Sequence, residues 1–103
     1  MKAYIVKISM FTGYPSEDHE EIIDSVYIDK DKAEQRSMDI INGVNIPNRY
    51  NSRREDIVND DNCKYEEYTV GDTSAKSLLV PDDFDKHSYR YIFNSKIIEF
   101  DIS

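Results

Sequence analysis

Val26-Tyr27-Ile28-Asp29-Lys30-Asp31-Lys32-Ala33-Glu34 is the stretch where an apolar run gives way to a helix signature. Val26, Tyr27 and Ile28 are the β-branched and aromatic types that suit a pleated, half-buried surface. Asp29 can accept hydrogen bonds from the first free amides of a helix, and Asp31 with Glu34 offers a capping-box alternative two residues on. Ala33, Ser37, Ile40, Ile41 and Val44 then recur at helical spacing, and Asn42-Gly43 supplies residues favoured just past a helix end. The spacing predicts a helix of about three turns that packs one apolar stripe on a sheet.

Upstream of that junction, Tyr4, Val6, Ile8 and Met10 alternate with Ala3, Ile5, Lys7 and Ser9, a period of two that puts the first set on a buried sheet face. Thr12-Gly13 ends this strand, Ser16 to Glu21 is a polar loop, and Ile22, Ile23, Val26, Tyr27 and Ile28 form a second strand antiparallel to the first. Residues 2–43 thereby resemble a loose group of small phage and bacterial proteins in which a strand pair runs through a short Asp/Ser-rich cap into a Lys-Ala-Glu helix. The resemblance implies a ββα opening and no catalytic site; that group's members are largely without assigned function.

Downstream, residues 45–63 read as a polar loop insertion, with one short helical turn offered by the capping-box spacing of Ser52-Arg53-Arg54-Glu55 ahead of Ile57 and Val58. Lys64 to Val70 reads as a strand ended by Gly71-Asp72. Ala75 to Asp85 reads as an apolar loop or short edge strand, because Pro81 cannot donate to a ladder. Tyr89, Tyr91 and Phe93, a turn at Asn94-Ser95, and Ile98, Phe100 and Ile102 predict a closing hairpin whose last strand is an edge guarded by Glu99 and Asp101. The expected fold is a single small α+β domain over 1–103. It has an antiparallel sheet of four or five strands in ββα-ββ order, with one main helix on one face.

With 39% hydrophobic and 12% aromatic residues, the chain has the means to bury a core without a disulfide. Cys63 is its only cysteine, which fits a reducing, cytoplasmic setting. Met1 to Phe11 reads as a strand in preference to a signal peptide, and no run reaches the ~20 apolar residues of a membrane span. Net charge is −8, and it is segregated. Residues 17–34 hold eight acids against two lysines, and residues 55–72 hold seven acids against Lys64 alone. Between them, Arg36, Arg49, Arg53 and Arg54 face only Asp39.

Few residue patterns here carry chemistry. Asp82-Asp83-Phe84-Asp85 lacks the glycine and distal glutamate of a calcium loop, so no metal or cofactor is expected. Cys63 with His87 matches no known nucleophile spacing, His19 lies in a polar segment, and Gly13, Gly43 and Gly71 are isolated, unlike a phosphate-binding loop. Arg49-Tyr50-Asn51-Ser52-Arg53-Arg54 has the residue types that grip phosphate and stack on bases, but acids flank it on both sides. Eight tyrosines without tryptophan favour amphipathic contact surfaces.

The reading that follows is a small acidic non-enzymatic binding protein. It fits a phage-encoded accessory factor or an inhibitor of a host protein, nucleic-acid mimicry included, with a basic protein surface as partner and no membrane role. Its candidate surface is Glu17, Asp18, Glu20, Glu21, Asp24, Tyr50, Arg53, Arg54, Glu55, Asp56, Asp60, Asp61, Glu66 and Glu67. The alternatives are a small metal-dependent hydrolase or nuclease using clustered carboxylates, and a nucleic-acid-binding module using Arg49, Arg53 and Arg54. Oligomeric state is left open.

Overall fold

The alternation at the N-terminus becomes a long first strand, and the computed structural model describes residues 1–12, 19–82 and 89–102. Strand β1 (Lys2–Thr12) pairs antiparallel with β2 (Glu20–Tyr27), as its residue pattern predicts. The register shifts between Val6 and Lys7, leaving Asp24 as the extra residue of a bulge. Helix α1 (Lys30–Ile41) follows. The Asp29 side chain accepts a hydrogen bond from the Asp31 amide at 2.9 Å, and Ala33, Ser37, Ile40 and Ile41 form its buried stripe.

Helix α1 ends in a Schellman motif. The Val44 amide reaches the Asp39 carbonyl (2.9 Å) and the Gly43 amide reaches Ile40 (3.0 Å), with Gly43 at φ 78°. The positive φ is what calls for glycine at 43, and a Cβ there would also stand 2.7 Å from Arg54 Nη1 and displace the end of that side chain.

Residues 45–63 are not a loop insertion. They contain helix α2 (Asn48–Val58), entered through Pro47, which supplies an extended φ/ψ and whose carbonyl accepts from the Asn51 amide. The capping-box spacing at Ser52 falls inside this helix. Only Tyr50 and Ile57, two turns apart, form its buried apolar stripe. The turn between them is anchored by Arg54, whose Nε donates to the Ile41 carbonyl at 2.7 Å.

Strands β3 (Lys64–Val70), β4 (Thr73–Pro81) and β5 (Tyr89–Asp101) complete a five-stranded antiparallel sheet in the order β2-β1-β5-β4-β3. The architecture is α+β, with element order ββααβββ in place of ββα-ββ and two helices in place of one. Two further expectations change. Thr73–Pro81 is an internal strand and not an edge, with Pro81 tolerated because pairing finishes there after a bulge at Val80. Asn94-Ser95 is not a turn; β5 runs straight through it as the central strand, and the sheet edges are β2 and β3.

Both helices cover the same side of this sheet. Val6, Ile8, Met10, Leu78, Val80, Phe93 and Ile97 form one core with Ala33, Ile40, Ile41, Tyr50 and Ile57. Within it, Ser37 of α1 and Ser95 of β5 share a buried hydroxyl–hydroxyl hydrogen bond of 2.5 Å. No helix among the described residues is long and apolar enough to cross a membrane.

Candidate interaction surfaces

The bulge at Asp24 aims its carboxylate at α1, where it meets Arg36 in a two-pronged ion pair, both contacts 2.7 Å. The same guanidinium donates to the carbonyls of Val44 and Asn45, at 2.8 and 2.9 Å. The Arg36 hydrogen bonds hold the Asp24 carboxyl below its ordinary value against the opposing effect of burial. Asp24 is therefore a structural anchor that ties β2, α1 and the connection to α2 together.

The other predicted residues separate according to what their elements need. Tyr50 is 5% exposed and belongs to the core, and burial pushes its phenol above the usual value. Arg54 is turned inward onto Ile41 and Asn51. Asp60 accepts from the Asn62 amide in the turn after α2, and Glu55 accepts from Asn51 within the helix. Asp61 is exposed beside that turn, and Glu67 accepts the Tyr65 hydroxyl at 2.6 Å. Burial and this carboxylate raise the Tyr65 phenol to about 12. Glu17 and Asp18 lie outside the described residues, as do His87, Asp83 and Asp85.

Three of the candidates do come together. Glu20, Arg53 and Asp56 line a pocket of about 200 Å³ between the end of the β1–β2 pair and α2, with Arg49, Ser52, Met10 and Phe11. Arg49 is ion-paired to Glu20 across it. Arg53 lies over the Tyr91 ring at 4.7 Å, and Arg90 approaches the same ring at 5.6 Å. His19 meets Phe11 edge-on, centroids 5.5 Å apart. Of the three arginines considered for nucleic acid, Arg54 is turned inward and Arg49 is paired with Glu20, which leaves a pocket of mixed sign.

A second surface emerges from register and was not legible strand by strand. On the side of the sheet away from the helices, paired positions form rows that cross the strands. Val26, Ile5, Ile98, Thr73 and Val70 make one row through all five strands. Next comes Ile23, Lys7, Lys96, Ala75 and Tyr68, then Glu21, Ser9, Asn94, Ser77 and Glu66. Beyond these, Phe11, Ile92 and Leu79 lead to Lys64 at the edge. Ile23, Val26, Val70, Tyr68 and Phe100 are all exposed here, Val70 at 69% and Ile23 at 63%.

The polar row is tightly held. Ser9, Ser77 and Asn94 are buried, Ser9 donates to Glu21 at 3.3 Å, and Lys96 sits 3.7 Å from the same carboxylate. The side-chain oxygen of Asn94 is buried with no hydrogen-bond partner. Such a group costs roughly 1–3 kcal/mol when left unpaired.

Cys63 is half-buried, and burial together with the Asp60 carboxylate pushes its thiol up, so it keeps its proton near neutral pH. Among the described residues no group of three or more His, Cys, Asp or Glu side chains is arranged to hold a metal ion. Comparison with family models, with curated proteins and with solved structures finds no match to this chain.

Proposed function

We propose that the chain is a non-enzymatic binding protein that docks onto another protein through the sheet face its own helices leave open. The observation that supports this reading is the row Val26, Ile5, Ile98, Thr73, Val70, which crosses the full width of the sheet, is apolar at every position but Thr73, and has its ends exposed. Isolated apolar residues on a surface are ordinary, whereas a contiguous apolar strip with polar neighbours marks an interaction site. The role of accessory factor or inhibitor fits such a surface, since either acts by occupying a partner.

The acid blocks contribute less than their charge suggested. Among the described residues Asp24 and Asp60 are engaged in the chain's own structure, Glu20 and Asp56 line the pocket by α2, and Glu21 and Glu66 lie on the open face. No single acidic surface gathers them.

The test is a peptide-display selection on the immobilised chain. The library is of about 16 residues, which as a helix spans ~24 Å, enough to cross five strands at ~4.8 Å spacing. Selected peptides should bind a Val26→Gln, Val70→Gln double variant at least tenfold more weakly than the wild type. Both residues are exposed on edge strands, so the double variant should retain the wild-type melting temperature to within a few degrees. Peptides that bind both proteins equally, or a selection that enriches nothing, would remove the docking reading.

A further inference from the structure

We propose that the occupant of the open face is an apolar segment of a partner protein that delivers a carboxylate to Lys7. This rests on the docking reading above and adds the partner's charge. Lys7 and Lys96 stand directly opposite each other on β1 and β5, like charges in a position where they destabilise a sheet. Lys96 has Glu21 at 3.7 Å, and that carboxylate already accepts from Ser9. The ion pairs of the described residues leave Lys7 without a carboxylate.

The surroundings turn this into selectivity. Lys7 is half-buried, with the apolar Ile5 and Ile98 on one side along its strands and the buried Ser9 and Asn94 on the other. An apolar segment laid over this row removes water from the ammonium, which is unfavourable unless an opposite charge arrives with it. A carboxylate placed there gains from the lowered local dielectric, so one acid among apolar residues is favoured over an amide or a base. Asn94, one row away, offers a second unmet need, an oxygen that lacks a donor.

Charge complementarity also argues against a second copy as the occupant. Among the described residues three lysines, Lys7, Lys64 and Lys96, outnumber Glu21 and Glu66 on this face, although the chain as a whole carries −8. Stacking two such faces would bring lysines together, and the acids that the described residues offer are Glu21, already shared by Ser9 and Lys96, and Glu66 at the far edge.

Peptides enriched by the selection on the full chain should carry a single Asp or Glu flanked by apolar residues. Replacing that acid by its amide should weaken binding at least tenfold, Lys7→Glu should weaken the parent peptide by as much, and a peptide with Lys in the acid's place should regain affinity for Lys7→Glu. Peptides that depend on Val26 and Val70 but bind Lys7→Glu and the wild type equally would overturn the carboxylate inference and leave the docking reading standing. Peptides indifferent to all three positions, or no enrichment, would overturn both. A concentration-dependent dimer in sedimentation, lost in the Val26→Gln, Val70→Gln variant, would assign the face to a second copy and overturn the proposal.

Discussion

The two faces of one sheet follow the same alternation and differ in how far burial reaches. On the covered side, Val6, Ile8 and Phe93 are fully buried beneath two helices; on the other, Ser9, Leu79 and Asn94 are buried on the inner strands, whereas Val26 and Val70 on the edge strands stand 55% and 69% exposed in line with Ile5 and Ile98. Period-two patterning tells a strand's two sides apart, but which side finds cover is decided by where the helices land. Ser37 and Ser95 show the consequence: a polar pair on the covered side closes on itself at 2.5 Å, while Asn94, one residue away on the open side, does not.

The sharpest break of this comparison is the loss of apolar side-chain surface on each side. Phe93→Ala removes a ring that is 0% exposed in the core cluster and should cost about 4 kcal/mol. Val70→Thr, on the open face of an edge strand, should stay within about 0.5 kcal/mol. Urea denaturation of both variants measures the difference, and a cost above 2 kcal/mol at Val70 would mean that this face is covered in the free chain.

The next effect lies on the covered side, in the ion pair that fixes how α1 meets the sheet. Arg36→Ala leaves Asp24 facing α1 without its partner and frees the carbonyls of Val44 and Asn45; both side chains are only 14% exposed, so a loss of about 3 kcal/mol is expected. The pH dependence has a definite sign. Because the folded carboxyl of Asp24 titrates below its ordinary value, its contribution is fully present above about pH 4 and is lost as pH falls through the depressed value. Wild-type melting temperature should thus drop below pH 4 more steeply than that of Asp24→Asn. Parallel curves would show that the pair does not govern acid stability.

Much of the first half was legible, for reasons that explain the misses in the second. The strand pair and α1 rest on local signals: alternation in 4–10, the Asp29 cap, and Asn42-Gly43 at the helix end. Helix α2 escaped because its buried stripe has only Tyr50 and Ile57, with an arginine anchoring the turn between them. Strand β5 was broken at Asn94-Ser95 because the pair reads as a turn in isolation. In the sheet Ser95 finds Ser37, and Asn94 falls into a row with Ser9 and Ser77 that exists only once strands β1, β5 and β4 are aligned. The candidate surface failed to gather for the same reason. Charge runs along the chain, whereas strands send neighbouring residues to opposite faces, as Glu66 and Glu67 show.

The smallest effect isolates the unpaired oxygen. Asn94→Val removes a buried side-chain carbonyl that has no donor, introduces a β-branched residue suited to a central strand, and leaves Ser9 with its bond to Glu21. Valine is slightly larger than asparagine, so some of the roughly 1–3 kcal/mol of relieved desolvation is spent on fitting the extra bulk, and the free chain should gain about 1 kcal/mol. If the open face is a docking surface, this gain should come with weaker binding of the selected peptides, because the acceptor waiting one row from Lys7 is gone. A variant that is both more stable and equally good at binding would mean that Asn94 is an uncompensated flaw of the sheet and takes no part in recognition. A variant less stable than the wild type would mean that the amide already has a partner when the chain is free, and the contrast between the two serine-bearing faces would disappear.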